Sequence, residues 1–240
     1  MAVYLTGDTH GMVGSKDFDR FEVWNFPEGA KLTRDDYLIV LGDFGMPSDL
    51  FDSDHDLRSL AAKPWTALFI DGNHEHFDYL NHLKIEKWHG GAVHRYPRYE
   101  NIVHLMRGEV YDIGGYSFFC MGGAQSIDKA IQQSWGTWFP EEMPDEAEYA
   151  NARKNLARYG WRVDFVLSHT CATRYLAEAI GDKGFIGVGA VNDELTDFLD
   201  EVEDKLEYRH WFCGHFHRDC NIDSRHTVLY RSIVDLEDYL

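Results

Sequence analysis

The chain has 240 residues, of which 44% are hydrophobic and 27% charged, as is typical of a globular protein with a substantial core. Asp and Glu number 41 against 23 Lys and Arg, and the formal net charge of −18 argues against a broad nucleic-acid surface or an anionic membrane surface as partner. The sequence has no secretory signal, no membrane-length apolar run and no C-x-x-C pair, so we expect a single domain over residues 1–240, with reduced cysteines, in the cytoplasm.

Five short apolar runs, each followed by a cluster of Asp, Asn or His, recur along the chain. Continuous apolar runs of this length predict buried β-strands. Because ligands of open α/β sheets collect beyond the carboxyl ends of the strands, we expect the five polar clusters to converge in one crevice. The runs are Ala2–Leu5, Tyr37–Leu41, Ala67–Ile70, Phe165–Leu167 and His210–Cys213.

Apolar spacing between these runs predicts amphipathic helices at Asp54–Ala62, Glu146–Tyr159, Thr173–Ile180 and Asn192–Tyr208. The chain also offers further strands at Ile102–Met106, Glu109–Ile113, Tyr116–Met121 and Thr227–Leu236, which we assign to a second, largely antiparallel sheet. The segment around Trp88 and His94 is interpreted as a connection into that sheet. Residues 125–161 are interpreted as an insertion within the domain that could border the active site. The predicted fold class is therefore α/β, a four-layer α/β/β/α sandwich with two mixed β-sheets.

Two acidic motifs follow the first two runs. Asp8 and His10 are separated by one residue, so in an extended segment both side chains can point to the same side and bind one metal ion. Taken alone, such a pair is more typical of a turn or cap aspartate beside a surface histidine. Asp43, in the sequence GDFG, offers two carboxylate oxygens that can bridge neighbouring cations, although a turn aspartate between glycines is the commoner explanation.

Three histidine-containing motifs follow the other runs. Asn73 and His74 join an amide oxygen directly to an imidazole, an order that hydrophobic packing does not explain, although Asn73 could also cap a helix. A single histidine such as His169 is more often a hydrogen-bonded structural residue than a ligand. His215 and His217, on one side of an extended chain after a glycine, are typical of a metal site.

The combination of these motifs is more specific than any one of them. In chain order, D-x-H, G-D, G-N-H-E, a single H and G-H-x-H resemble the calcineurin-like metallophosphoesterase superfamily, and they span residues 6–217. The resemblance implies a first metal ion bound by Asp8, His10, Asp43 and His217. It implies a second metal ion bound by Asp43, Asn73, His169 and His215.

The resemblance also implies a mechanism. His74 is then not a ligand but faces the substrate, where it stabilises the phosphoryl oxygens or protonates the leaving oxygen. Two cations about 4 Å apart lower the pKa of a shared water, so that hydroxide attacks phosphorus without a protein nucleophile. Mixed nitrogen and oxygen ligation without thiolate favours two divalent or trivalent ions from Mn, Fe, Zn, Co and Ni, with Mn expected to serve best in vitro. Imidazoles bind metals only as neutral groups, so activity should fall in acid.

The sequence departs from the superfamily pattern where substrate is specified. Serine/threonine protein phosphatases and dinucleoside polyphosphatases of the superfamily show G-D-x-x-D-R-G and R-G-N-H-E, whereas this chain has GDFGMPS and DGNHE, with Asp71 in place of an arginine. Because the chain lacks these arginines, which would bind a phosphate dianion, we do not place it in the protein-phosphatase branch. We favour a phosphodiester or nucleotide over a monoester as substrate. The candidates for supplying the missing substrate contacts are Arg107, Arg174, Arg218 and, in the insertion, Trp135.

Each of these four residues also has a structural explanation: the arginines as surface residues, and Trp135 as packing of the insertion. The expected partner is a small phosphorylated substrate, and the sequence does not determine the oligomeric state. One alternative is a catalytically inactive metal-binding regulatory or scaffold protein, against which His74 argues. A second alternative is structural zinc alone, against which the number of ligand positions argues.

Overall fold

The computed structural model describes residues 1–11, 18–45, 54–181 and 192–240, and all five apolar runs form strands there. Six α-helices and several short 3₁₀ segments surround them within these ranges. The strands are β1 (Val3–Thr6), β2 (Tyr37–Leu41), β3 (Thr66–Ile70), β4 (Lys84–Trp88), β5 (Gly91–Arg95), β6 (Ile102–Leu105), β7 (Glu109–Ile113), β8 (Tyr116–Met121), β9 (Phe165–Ser168), β10 (His210–Cys213), β11 (Cys220–Asn221), β12 (His226–Val228) and β13 (Val234–Asp235). The helices are α1 (Asp54–Ala61), α2 (Phe77–Leu80), α3 (Lys129–Trp135), α4 (Glu146–Arg158), α5 (Leu176–Ile180) and α6 (Glu194–Lys205).

The strands form two mixed sheets. The first has seven strands in the order β13-β1-β2-β3-β6-β5-β4, in which β1, β2, β3 and β6 run parallel. The second has six strands in the order β11-β12-β10-β9-β8-β7, with β8, β9, β10 and β12 parallel. The parallel strands that precede the polar clusters therefore end at the same edge of their sheet, as the sequence pattern predicts.

Alternation of side chains along the strands divides the core into layers. One face of β1–β3 packs against one face of β8–β10, with Ile39 and Leu41 in the same apolar cluster as Phe165 and Phe212. The opposite face of the first sheet is covered by α1 and α2, and the opposite face of the second by α4 and α6. These layers confirm the predicted α/β/β/α sandwich.

Helix signals in the sequence located α1, α4, α5 and α6, whereas α2 and α3 were not predicted. Asp145 and Asp193 precede α4 and α6, and each caps its helix in a reciprocal hydrogen-bonded box with the residue three positions on. The predicted helix at Thr173–Ile180 is divided into a 3₁₀ turn at Thr173–Tyr175 and α5. No helix in the described ranges combines the length and apolar composition required to cross a bilayer.

Three details of the predicted sheets are wrong. The second sheet is not largely antiparallel, because β8, β9, β10 and β12 pair in parallel. The segment around Trp88 and His94 is the hairpin β4–β5, and with β6 it extends the first sheet rather than the second. The predicted strand Thr227–Leu236 is two short strands in different sheets, β12 beside β10 and β13 beside β1. The local pattern identifies most of these strands, although it misses β4 and β5, and the pairing of strands depends on long-range packing.

Candidate metal centre

Cross-sheet hydrogen bonds bring the strand ends together. The backbone N–H groups of Thr9 and His10 donate to the carbonyl of Asp43 at 3.1 and 2.7 Å, which joins the segments after β1 and β2. His169, after β9 in the second sheet, lies with Nδ1 2.7 Å from the carbonyl of Leu41 in the first sheet. The backbone N–H of His215 donates to Asp8 Oδ1 at 3.0 Å. The polar clusters predicted to converge do meet in one place.

Glycines before the candidate ligands make this approach possible. A Cβ on Gly42, which has φ of +88°, would lie 2.1 Å from His169 Nδ1. A Cβ on Gly72 would lie 2.1 Å from Asp43 Oδ1. Only a residue without a side chain fits at either position, so the glycine before each ligand is part of the construction of the site.

Four side chains form the first ligand group. One donor atom from each of Asp8, His10, Asp43 and His217 lies within 4.8 Å of the other three. His10 Nε2 is 2.8 Å from His217 Nε2 and 3.8 Å from Asp43 Oδ2, while His217 Nε2 is 3.4 Å from Asp8 Oδ2. These are the four residues that the resemblance implies for the first metal ion.

Asp8 is the residue whose surroundings best fit a bound cation. Its side chain is completely buried, and Oδ2 has no hydrogen-bond partner among the described residues. Burial raises the pKa of the Asp8 carboxyl to about 7, with Asp43 acting in the same direction and His169 opposing it. Buried carboxylates are normally paired or bound to metals, so the unpaired oxygen fits a metal ligand.

The second group converges on His169. Its Nε2 lies 3.2 Å from Asn73 Oδ1 and 3.3 Å from Asp43 Oδ1, and its ring is 5.0 Å from the ring of His215. Burial opposes protonation of His169, but Asp43 and Asp8 outweigh burial and raise its pKa to about 10. With Nδ1 donating to the carbonyl of Leu41, Nε2 faces two acceptor oxygens, those of Asn73 and Asp43. This arrangement requires a proton or a cation at its centre.

Two of the other candidate ligand histidines, His215 and His217, are held neutral. Burial, with a smaller effect from His169, lowers the pKa of His215 to about 3. Burial, followed by His10, lowers the pKa of His217 to about 4. A neutral imidazole is the form that binds a metal ion, so both groups are ready for coordination at neutral pH.

His74 lies beside the candidate ligands, of which His217 is also exposed. Its backbone N–H donates to Asp43 Oδ1 at 2.8 Å, and its ring lies 5.5 Å from the ring of His10. The residue is exposed, whereas Asn73 beside it is buried. Its imidazole is therefore next to the ligand cluster and accessible to a molecule in solution.

The backbone at the site corrects one premise of the sequence analysis. His10, Asp43, His215 and His217 all have positive φ, of 47°, 45°, 69° and 50° respectively, so neither D-x-H nor H-x-H is an extended segment. The paired side chains are brought together by tight left-handed turns instead. Such conformations cost free energy in residues other than glycine, and they cluster at functional sites.

Two buried residues that we did not predict hold these loops. Glu75 Oε1 accepts hydrogen bonds from the N–H groups of Phe44 and Gly72, at 2.8 and 3.2 Å, and so ties together the loops of Asp43 and Asn73. Arg20 Nη2 donates to the carbonyl of Asp8 at 3.0 Å. The glutamate of G-N-H-E could have been singled out from the motif, whereas Arg20 lies outside every motif.

The arginines considered for substrate binding have structural partners. Arg107 is buried and donates to Asp71 and Glu148 and to the carbonyls of Glu141 and Glu142. Arg174 pairs with Asp200 and Asp204 on α6, and Arg218 Nη1 donates to the last carbonyls of α5, those of Glu178 and Ala179. Trp135 ends α3 and is 72% exposed. Asn73 caps no helix, because α2 is capped by His76.

The donor atoms fit metal ions. The candidate ligands offer carboxylate oxygens, imidazole nitrogens and an amide oxygen, and one buried carboxylate oxygen, Asp8 Oδ2, accepts no hydrogen bond from the described residues. Fold and donor set together define a metal-binding α/β/β/α protein.

Comparison with known proteins then identifies the family. The chain matches the calcineurin-like phosphoesterase family over residues 1–219, and it belongs to that family. Membership supports a hydrolase acting on phosphoester bonds, and the family generally uses divalent metals. A crystal structure of a protein of unknown function from Aquifex aeolicus is similar at 16% identity, covering 70% of this chain and 80% of that one, with a TM-score of 0.35. The comparison with curated proteins gives no match.

Proposed function

We propose that this protein hydrolyses a phosphodiester or a nucleotide at a dinuclear metal centre. The observation that carries the proposal is the position of Asp43 between the two ligand groups. Its Oδ2 faces His10 at 3.8 Å, while its Oδ1 faces His169 at 3.3 Å. A carboxylate with one oxygen in each group is suited to bridge a pair of cations.

The residues around the cations perform the remaining tasks. Two bound metal ions would supply Lewis-acid activation of water and neutralise charge on the phosphoryl oxygens. Asp8, Asn73, His169, His215 and His217 would hold them, together with His10 and Asp43. Since no thiolate is among the donors, we propose Mn, Fe, Zn, Co or Ni, with Mn for assays in vitro.

His74 is the proposed catalytic residue. It is exposed beside the cluster, and its backbone N–H is bonded to Asp43, so its ring can reach a bound phosphate without being a metal ligand itself. An imidazole in this position can donate a hydrogen bond to a phosphoryl oxygen or a proton to the leaving oxygen.

The substrate preference rests on the engaged arginines. A phosphate monoester is a dianion at neutral pH and is usually gripped by guanidinium groups. Arg107 is held by two carboxylates and two carbonyls, and Arg174 and Arg218 are bonded to the ends or faces of helices. Phosphodiesters and nucleotides with a diester or anhydride linkage carry less charge at the reacting phosphorus, so we place them ahead of monoesters.

A substrate panel tests the proposal directly. We expect purified protein loaded with Mn²⁺ to hydrolyse bis-p-nitrophenyl phosphate faster than p-nitrophenyl phosphate, and to lose activity after chelation. Faster turnover of the monoester would reverse the substrate preference. Two bound metal equivalents without turnover of any mono- or diester would support a regulatory or scaffold protein instead.

The variant His74→Asn separates catalysis from metal binding. We expect kcat to fall by about 10²–10⁴-fold, the usual contribution of a general acid or base, while the number of bound metal equivalents stays at the wild-type value. Elemental analysis of the same preparation provides the control. Loss of metal together with activity would mean that His74 is a ligand.

A further inference from the structure

A buried serine in the inserted segment contacts the side chain of Asn73. After β8 the chain passes Gly123, whose N–H donates to the carbonyl of Asp71 at 2.9 Å, and then places Ser126 against the loop that carries Asn73. Asn73 Nδ2 donates to Ser126 Oγ at 3.0 Å. The first residues of the segment 125–161 therefore contact the metal centre directly, although no motif in the sequence includes them.

Ser126 is itself held by two other residues of the same segment. Gln132 Nε2, from α3, donates to Ser126 Oγ at 3.1 Å. The backbone N–H of Ser126 donates to Glu142 Oε1 at 3.2 Å. Asn73, Ser126, Gln132 and Glu142 are 5%, 3%, 3% and 2% exposed, so water does not compete for these hydrogen bonds.

We infer that Ser126 is a positioning residue for the second metal ion, acting through Asn73, and that Gln132 supports it. An asparagine amide has a donor end and an acceptor end, and only the oxygen can bind a cation. Ser126 holds the nitrogen end on the side away from the cluster, which leaves Oδ1 facing His169 Nε2 at 3.2 Å. This inference rests on the proposed dinuclear centre and assigns to the insertion a part in setting its affinity for metal.

The energetics support a measurable effect. Removal of the serine hydroxyl leaves the amide N–H groups of Asn73 and Gln132 without their acceptor in a buried site. The Asn73 side chain is then free to rotate its nitrogen toward the ligand cluster. Loss of a residue that orients a metal ligand typically lowers metal affinity about 10–100-fold.

The test is titration of metal-free protein with Mn²⁺ and Zn²⁺ by calorimetry. For Ser126→Ala we expect the first equivalent to bind as in the wild type and the second to bind about 10–100-fold more weakly. Saturating metal should restore most of kcat. Ser126→Thr keeps the hydroxyl and should bind both equivalents within a few-fold of wild type, whereas Gln132→Ala should weaken the second equivalent by a smaller factor than Ser126→Ala.

Ser117→Ala provides a matched control. Ser117 Oγ also makes two hydrogen bonds, donating to Asp164 Oδ2 and accepting from the Asp164 N–H, both at 2.9 Å, in another part of the fold. We expect this variant to lower the unfolding midpoint without changing either metal affinity. A merely structural role for Ser126 would give the same result for Ser126→Ala.

The outcomes distinguish this inference from the proposed function. Wild-type affinity for both equivalents in Ser126→Ala would overturn the role of Ser126 and leave the dinuclear centre intact. A wild-type protein that binds a single equivalent would overturn both. Two equivalents without turnover would remove the proposed activity while the metal titration still decides the role of Ser126. If Ser126→Ala fails to fold, unchanged affinity in Gln132→Ala would overturn the inference.

Discussion

Three buried aspartates follow neighbouring parallel strands of the first sheet, and they have opposite surroundings. Asp8 and Asp43 follow β1 and β2 and face imidazoles. Asp71 follows β3 and faces Arg107, whose Nε donates to Asp71 Oδ2 at 2.7 Å, and His104, whose Nε2 lies 3.1 Å from Asp71 Oδ1. We refer to Asp71, His94, His104 and Arg107 as the Asp71 cluster.

The Asp71 cluster and the candidate metal centre around Asp8 and Asp43 differ in how their buried carboxyl groups are neutralised. Burial alone would raise the pKa of Asp71, but Arg107 and His104 outweigh burial and hold it well below its usual range. Burial instead raises the pKa of Asp8 to about 7, and its Oδ2 lacks a hydrogen-bond partner among the described residues. A buried carboxylate that the protein itself neutralises forms a structural ion pair, and removing one partner destabilises the fold, whereas a buried carboxylate with an oxygen that accepts no hydrogen bond is suited to bind a metal ion.

Backbone conformation separates them in the same way. Asp43 and three ligand histidines have left-handed backbone conformations, while no residue of the Asp71 cluster has positive φ. Asp71 stands where the superfamily pattern has an arginine. Because Asp71 pairs with Arg107, the Arg107 side chain is not free to bind substrate. The comparison gives three predictions.

The largest effect is expected at Asp8. Asp8→Asn should lower metal affinity more than about 100-fold, which exceeds the usual effect of losing a residue that only orients a metal ligand. Turnover should fall to the level of metal-free protein. The metal-free variant should be at least as stable as wild type at pH 7, because a neutral amide replaces a buried carboxyl group whose Oδ2 accepts no hydrogen bond from the described residues. Metal analysis, steady-state kinetics and urea unfolding measure these quantities. A marked loss of stability without metal would contradict the comparison.

The reverse result is expected in the Asp71 cluster. Arg107→Ala should lower the free energy of unfolding by about 3–5 kcal/mol, because it leaves Asp71 charged and buried. The folded fraction should bind metal with wild-type stoichiometry. Denaturant unfolding and elemental analysis check both parts, with Arg174→Ala, which removes exposed ion pairs, as a control that costs at most about 1 kcal/mol. A large loss of metal affinity in folded Arg107→Ala would show that the two regions are not separate.

The smallest effect is a dependence of stability on pH. His94 Nδ1 lies 3.0 Å from His104 Nδ1, and burial, followed by His104, lowers the pKa of His94 to about 4. Between that value and the ordinary histidine pKa of about 6.5, the unfolded chain binds the proton and the folded chain does not. His94 therefore makes the folded protein less stable as the pH falls from about 6.5 to 4.

Comparison of wild type with His94→Asn isolates this contribution. We expect the difference in unfolding free energy between pH 7 and pH 4.5 to be smaller in the variant by roughly 1–3 kcal/mol. Equal pH dependence in the two proteins, measured by urea unfolding of metal-free samples, would mean that the neutral His94 is not maintained by burial.

Local signals in the sequence determined the strands that carry the site and the residues at their ends. The five apolar runs appear as strands, and Asp8, His10, Asp43 and His217 meet as one group of donors. Periodicity of apolar residues and turn chemistry are local properties, so they can be read without knowing the fold. The fold class and the family followed from the order of the motifs.

Only the tertiary structure decided which buried charged side chains form structural ion pairs and which are available to bind a metal ion. In the sequence analysis, Arg107 was a candidate for substrate binding, and Asp71 stood where the superfamily pattern has an arginine. In the structure these two residues, 36 positions apart, neutralise each other. Likewise Ser126 contacts Asn73 across 53 positions, and the ligands meet through left-handed turns rather than extended segments. Hydrogen bonds and ion pairs between residues distant in the chain depend on how the two sheets pack, and no local pattern records that packing.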